Sequence, residues 1–151
     1  MFLVHNLSMI SRAIALALGI ASLAFGQGGA IAAAVKIPTI ATTDAKFQHD
    51  VVEASADHLV VVVFEAGWCL PCRGVTGGLS YAAQTKGFGV VTMDVETNSA
   101  VADKLNVSTL PVVIAYRGGK SVGTHVGNWG GNYTLDNFLE QVGGTAVTPS
   151  E

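Results

Sequence analysis

Cysteine is scarce in this chain, with two among 151 residues. Two thiols exclude a scaffold stapled by several disulfides, and a chain of this length can bury a core without them. Histidine is thin as well. His5, His49, His58 and His125 are scattered, with no pair at helical spacing to start a metal site. Only 13% of residues are charged and the formal net charge is −3, so there is no basic footprint for nucleic acid. Half of the residues are apolar, which suits one domain with a core of its own.

Charge is missing altogether between Arg12 and Lys36, and Ala13 to Phe25 is a compact apolar run. A positive residue, a short apolar run and then small residues are the parts of a secretory signal peptide. Ala32-Ala33-Ala34 supplies an A-x-A cleavage site, with Ala24-Phe25-Gly26 as a second. Ala13 to Val35 is also long enough for an uncleaved membrane anchor, although Gly26, Gln27, Gly28 and Gly29 interrupt it. Met9 offers an alternative start with a shorter leading segment. Residues 1–34 are therefore expected to be a signal peptide or an N-terminal membrane anchor. One domain follows over 35–143, and 144–151 form a short polar tail. The expected location is periplasmic or otherwise extracytoplasmic, or anchored to the outer face of the cytoplasmic membrane.

After Lys36, short apolar runs alternate with amphipathic segments. "KIPTIA" reads as a weak strand that Pro38 confines to an edge. Phe47, Val51 and Val52 recur at helical spacing, with Thr43 or Asp44 as the cap. "LVVVVF", Leu59 to Phe64, has no alternation and many β-branched side chains, as a strand buried on both faces requires. A helix is predicted from the cysteines toward Thr85, weakened by Gly74, Gly77 and Gly78. Phe88 to Val95 is the next strand, and "NSAVADKL" a short helix opened by Asn98 or Ser99. Pro111 to Tyr116 and Ser121 to Val126 flank "RGGK" as an antiparallel hairpin. Thr134 caps a last helix with Leu135, Phe138, Leu139 and Val142 on one side, ended by Gly143 and Gly144. The order β-α-β-α-β-α-β-β-α predicts an α/β domain whose largely parallel sheet has helices on both faces. Sites in such sheets form at the carboxyl ends of the strands, where Glu65 to Cys72 would lie.

Both cysteines fall in "FEAGWCLPCRG", Phe64 to Gly74. Three uses compete for such a pair: a redox couple, half of a metal site, or a structural staple. A metal site needs two further ligands from a second C-x-x-C or a histidine pair, and neither is present. A staple closing a two-residue loop gains little chain entropy. A redox couple fits the surroundings better. Cys69 would sit in the first turn of a helix, where dipole and free N–H groups favour a thiolate. Cys72 would lie one turn deeper. The spacing thus assigns attack to Cys69 and resolution to Cys72, while Pro71 is tolerated at the helix start.

"VVVVFEAGWCLPCR", "VVTMDVETNSAVADKLNVSTLPVVIAYRGGK" and "THVGNW" together resemble the thioredoxin family, from about Ile37 to Val142. The resemblance implies a thioredoxin fold, a mixed central sheet of four to five strands flanked by helices on both faces. It also implies a cis Leu110–Pro111 bond that sets Pro111 against the cysteines and frees the Leu110 backbone for an extended substrate. Gly127 matches the family's small residue near the site, Trp68 would pack beside Cys69 and shield it, and Leu70, Pro71 and Leu110 would surround the sulfur. The implied activity is thiol–disulfide exchange with protein clients, without cofactor or metal.

Two departures stand out. Positions where general reductants of the family carry a buried aspartate and a lysine hold Val63 and Thr92. Both charges are missing together, which spares the core an unpaired one but leaves Cys72 without its usual proton acceptor. Glu65 is the candidate replacement, with a solvated rim glutamate as the plain alternative. Trp129 is either an exposed partner-binding aromatic or a packing residue, and His125 is a strand residue. Positions 73–110 leave no room between Cys72 and Pro111 for the inserted helical domain of periplasmic oxidants. The expected function is an extracytoplasmic reductase of protein disulfides, supplied with electrons by a membrane thiol carrier. A disulfide donor and a non-catalytic binding module are the alternatives.

Overall fold

The computed structural model describes residues 38–131 and 133–143. The expectations for residues 1–34 and for the tail 144–151 lie outside the described residues. Five strands form one sheet: β1 (Ile40–Ala41), β2 (Val60–Glu65), β3 (Gly89–Asp94), β4 (Val112–Arg117) and β5 (Lys120–Val126), in the spatial order β1-β3-β2-β4-β5. The unbroken apolar run became the central strand. β2 pairs parallel with β3 and antiparallel with β4, and its first five residues are buried. β1 has two residues and lies at the edge, just after Pro38, whose missing N–H suits only such a position. The β4–β5 hairpin turns through Gly118 and Gly119, at φ 60° and 73°. Two positive φ values in a two-residue turn match the twist of the flanking strands and favour glycine.

Both faces of the sheet are covered. On one, α1 (Leu70–Lys86) and α3 (Leu135–Gln141) bury Val75, Leu79, Phe138 and Leu139 against Val61, Val63 and Val113. On the other, Phe47, Val51 and Ala102 pack on Val62, Phe64, Ile114 and Tyr116. Period-two alternation explains how one strand feeds both cores, with odd-numbered β2 residues on the α1 side and even-numbered ones opposite. Gly74, Gly77 and Gly78 leave α1 unbroken through 17 residues. Thr134 caps α3 as anticipated, within a capping box: its hydroxyl accepts from Asn137 N–H while Asn137 Oδ1 accepts from Thr134 N–H.

Two expectations change. The first helix is a π-helix, Gln48–Glu53, in which Ala54 N–H reaches back five residues to His49 O. Neither Thr43 nor Asp44 caps it through a side chain; Phe47 occupies that place without a capping bond. The Asp44 carboxylate instead caps α2 (Ser99–Lys104), accepting from Ala100 N–H at 3.1 Å and Val101 N–H at 2.9 Å. Asn98 precedes α2 but does not cap it; its Oδ1 accepts from Asp44 N–H. The partners are more than fifty positions apart, so a local pattern could not expose the exchange.

Candidate active site

The chain leaves β2 at its carboxyl end, turns through Ala66–Trp68 and enters α1. Cys69 N–H donates to Ala66 O at 2.9 Å, closing the turn that delivers Cys69 to the helix N-cap. Its Sγ accepts from Cys72 N–H at 3.3 Å. A sulfur so placed receives a helix-terminal N–H and the positive end of the dipole, the setting that lowers a thiol pKa. Cys69 and Cys72 form a disulfide with Cα atoms 5.4 Å apart, so this Sγ occupies the place of the thiolate in the reduced form. Cys69 is 3% exposed and Cys72 1%, and both pack with Ala66, Val95 and Leu110.

Leu110–Pro111 is cis. Pro111 is buried and its carbonyl accepts from Gly127 N–H at 2.8 Å, which extends the β4–β5 ladder by one step. Gly127 has φ +90°, a conformation that disfavours side chains. The Leu110 side chain packs on the cysteine cluster, and its backbone N–H and C=O make no backbone hydrogen bond among the described residues. Leu70 projects outward, 70% exposed, with Pro71 following it in the first turn of α1.

Trp68 is 67% exposed, held by its indole N–H donating to Glu96 Oε1 at 3.2 Å. A polar acceptor in the loop after β3 keeps the ring at the surface. Glu65 ends β2 half-buried, and its Oε2 accepts from the Thr76 hydroxyl at 3.0 Å. Thr76 lies four residues beyond Cys72, on the same side of α1. Glu65 therefore faces the helix that carries the resolving sulfur. Thr76 could have been noticed from that spacing; nothing local pointed to Glu96.

Val63 and Thr92 are direct partners across β2 and β3, and Val63 is fully buried. The two positions that lack charges are thus neighbours. His125 does not join the cysteine cluster. It stacks on Trp129 at 4.1 Å and on Tyr133 at 5.3 Å, and its Nε2 meets Asn128 O at 3.3 Å. Trp129 packs partly buried against the α1-side core, which favours the packing reading for it. Among the described residues, no three His, Cys, Asp or Glu side chains converge as a metal site.

The thioredoxin family's sequence profile matches residues 38–141. Thioredoxin-2 of Saccharomyces cerevisiae is 41% identical over 81 residues, covering 53% of this chain and 78% of that protein. A thioredoxin of Streptomyces clavuligerus is 35% identical over 86 residues, covering 56% and 78%. Among solved structures, Plasmodium falciparum thioredoxin superposes with a TM-score of 0.54 at 29% identity, covering 70% of this chain and 95% of that one. The reduced thioredoxin pre-protein of Schistosoma mansoni gives 0.52 at 30% identity, covering 59% and 85%.

Proposed function

The chain belongs to the thioredoxin family, and from that premise we propose that it works outside the cytoplasm as a reductase of protein disulfides. Thiol–disulfide exchange is the family's activity; direction, location and residue roles are the proposal. One observation carries it: Cys69 Sγ sits at the N-cap of α1 and accepts the Cys72 N–H at 3.3 Å. A thiolate there is stabilised by the helix terminus and backed by a second thiol.

The Cys69 thiolate attacks one client sulfur, and the client's other sulfur leaves as thiolate, taking a proton from water. Cys72, deprotonated, then attacks Cys69 Sγ. The Cys69–Cys72 disulfide forms, the mixed disulfide breaks, and the second client sulfur leaves as a thiol. Two electrons have passed from the dithiol to the client. Glu65 is the proton acceptor for Cys72 in this scheme, supported by its place at the end of β2 against α1. Trp68 and Leu70 supply exposed apolar contact to the client on either side of Cys69. Leu110 offers an unpaired backbone to an extended client segment, aligned by Pro111 and Gly127. A membrane thiol carrier restores the dithiol. Export is supported by the uncharged apolar run between Arg12 and Lys36.

The test is the reduction potential of Cys69–Cys72, read by equilibration with glutathione buffers. A value near thioredoxin's, about −270 mV, supports the reductase. A value near about −120 mV, that of a strong oxidant, overturns the direction and makes the protein a disulfide donor. A Cys72→Ser variant should accumulate mixed disulfides with clients through Cys69. Failure to trap any, in a normally folded variant, would leave a binding module. Cell fractionation with the full chain settles the location: recovery in the cytosol refutes export.

A further inference from the structure

β5 ends at Val126, and the next residue, Gly127, donates its N–H to Pro111 O at 2.8 Å. Whatever fixes the chain around Gly127 therefore also fixes the Leu110–Pro111 segment beside the cysteines. Local propensity does not do so. Gly127, Gly130 and Gly131 crowd into five positions, and glycine loses more freedom on ordering than any other residue. The loop they form has to be held by contacts, and those contacts converge on His125.

His125 pairs with Val113 across β4 and β5, with its ring toward Phe138 of α3. The imidazole stacks on Trp129 with the planes 14° apart, and on Tyr133 with the planes 19° apart. Its Nε2 lies 3.3 Å from Asn128 O; a carbonyl can only accept, so Nε2 carries the proton and donates. Trp129 tilts against Phe138 at 5.4 Å. The indole Nε1 is buried with no acceptor among the described residues, so ring contacts rather than a hydrogen bond hold the indole. Gly130 and Tyr133 exchange backbone bonds at 3.2 and 3.3 Å, which returns Tyr133 to the same imidazole. One side chain thus grips the loop by a carbonyl and two rings, immediately after Gly127.

We propose that His125 is a positioning residue for client docking. It holds the loop after β5 and, through Gly127, the Leu110–Pro111 segment in the arrangement that an extended client segment meets. The inference rests on the docking of clients at Leu110 proposed for this cleft. A glycine-rich loop ordered before the client arrives spares the docking step that ordering cost. His125 stands outside the cysteine cluster, so the exchange chemistry itself is not its task.

The test offers two disulfides to the full chain, reduced beforehand: insulin, which docks a chain segment, and hydroxyethyl disulfide, which is too small to engage the loop. Oxidation of Cys69 and Cys72 is followed by acid quench and alkylation. His125→Leu removes both ring contacts and the donor to Asn128. It should slow the insulin reaction roughly 3- to 10-fold, the worth of one neutral hydrogen bond, and leave the hydroxyethyl disulfide reaction unchanged. His125→Phe keeps a ring in the stack without the donor and should fall between the parent and His125→Leu. A purely structural role would move both reactions together or neither, so the ratio of the two rates decides. A ratio unchanged in His125→Leu, or not restored in any part by His125→Phe, overturns the inference. Should His125→Leu fail to fold, Trp129→Leu takes the ring from the loop side of the stack and gives the same reading. A parent chain inert to both disulfides overturns exchange by Cys69 itself, and this inference with it.

Discussion

Replacing Val63 by aspartate restores one half of the charged pair that this chain lacks, without the other. Val63 is fully buried, its neighbours across the sheet are Thr92 and Val113, and Val75 and Leu79 of α1 share its core. None of these neighbours is a cation that could pair with a carboxylate. The neutral acid already loses the buried valine, about 1.5–3 kcal/mol, and adds a poorly satisfied polar group at about 1–3 kcal/mol. A total of about 2.5–6 kcal/mol is expected at pH 4, a large part of the 5–15 kcal/mol that holds a typical domain together. Burial raises the folded pKa of the new acid above its unfolded value of about 3.9. Such a group destabilises progressively as pH rises from the unfolded toward the folded pKa, by about 1.4 kcal/mol per unit. By pH 6 a further loss of about 3 kcal/mol accumulates if the folded value is at least that high. Urea unfolding of Val63→Asp against the parent at pH 4, 5 and 6 reads this directly. Adding Thr92→Lys, which places an ammonium on the partnered position, should recover stability at pH 6 more than at pH 4. A loss below about 1 kcal/mol, or one independent of pH, would refute the view that Val63 lies in a buried site without a cationic partner.

Gly123→Ala places a Cβ against Val142 on the far side of the β5–α3 contact; a cost of about 1–3 kcal/mol is expected by thermal unfolding, and no change would refute the close approach. Asp44→Ala removes acceptors from Ala100 and Val101 N–H, and α2 should lose about 0.5–2 kcal/mol, with faster amide exchange confined to residues 99–104. His49 Nδ1–H donates to the Asp50 carboxylate at 2.9 Å, which raises the His49 pKa above 6.5, while that bond and one from the Thr42 hydroxyl lower Asp50 below 3.8. The His49 contribution is present below pH 6.5 and lost as pH rises through the raised value; that of Asp50 is present above pH 3.8 and lost as pH falls through the lowered one. The stability gap between the parent and His49→Gln should therefore be widest between these limits and close above them, as urea unfolding across pH 3–9 can show.

Much of the candidate site was legible in the residues. "LVVVVF" has the unbroken β-branched pattern of a doubly buried strand, and the cysteines follow it at the distance that puts one thiol at a helix N-cap. Pro71 marks the start of α1 and Thr134 that of α3, because caps act over a few residues. The Trp68–Glu96 hydrogen bond was not legible, because Glu96 lies in a loop that only the fold brings near. The π-helix escaped notice for a related reason: Phe47, Val51 and Val52 suit either helix type, and packing on β2 and β4 decides between them.

By itself, then, the sequence determined which segments are strands and helices, which faces are apolar, and where two sulfurs meet a helix start, since propensity, periodicity and capping are local. Only the tertiary structure decided that Asp44 serves a helix more than fifty residues away, that Val63 and Thr92 are neighbours, and that Gly127 closes on Pro111. Those are facts of register and packing between distant segments, and no short stretch of chain contains them.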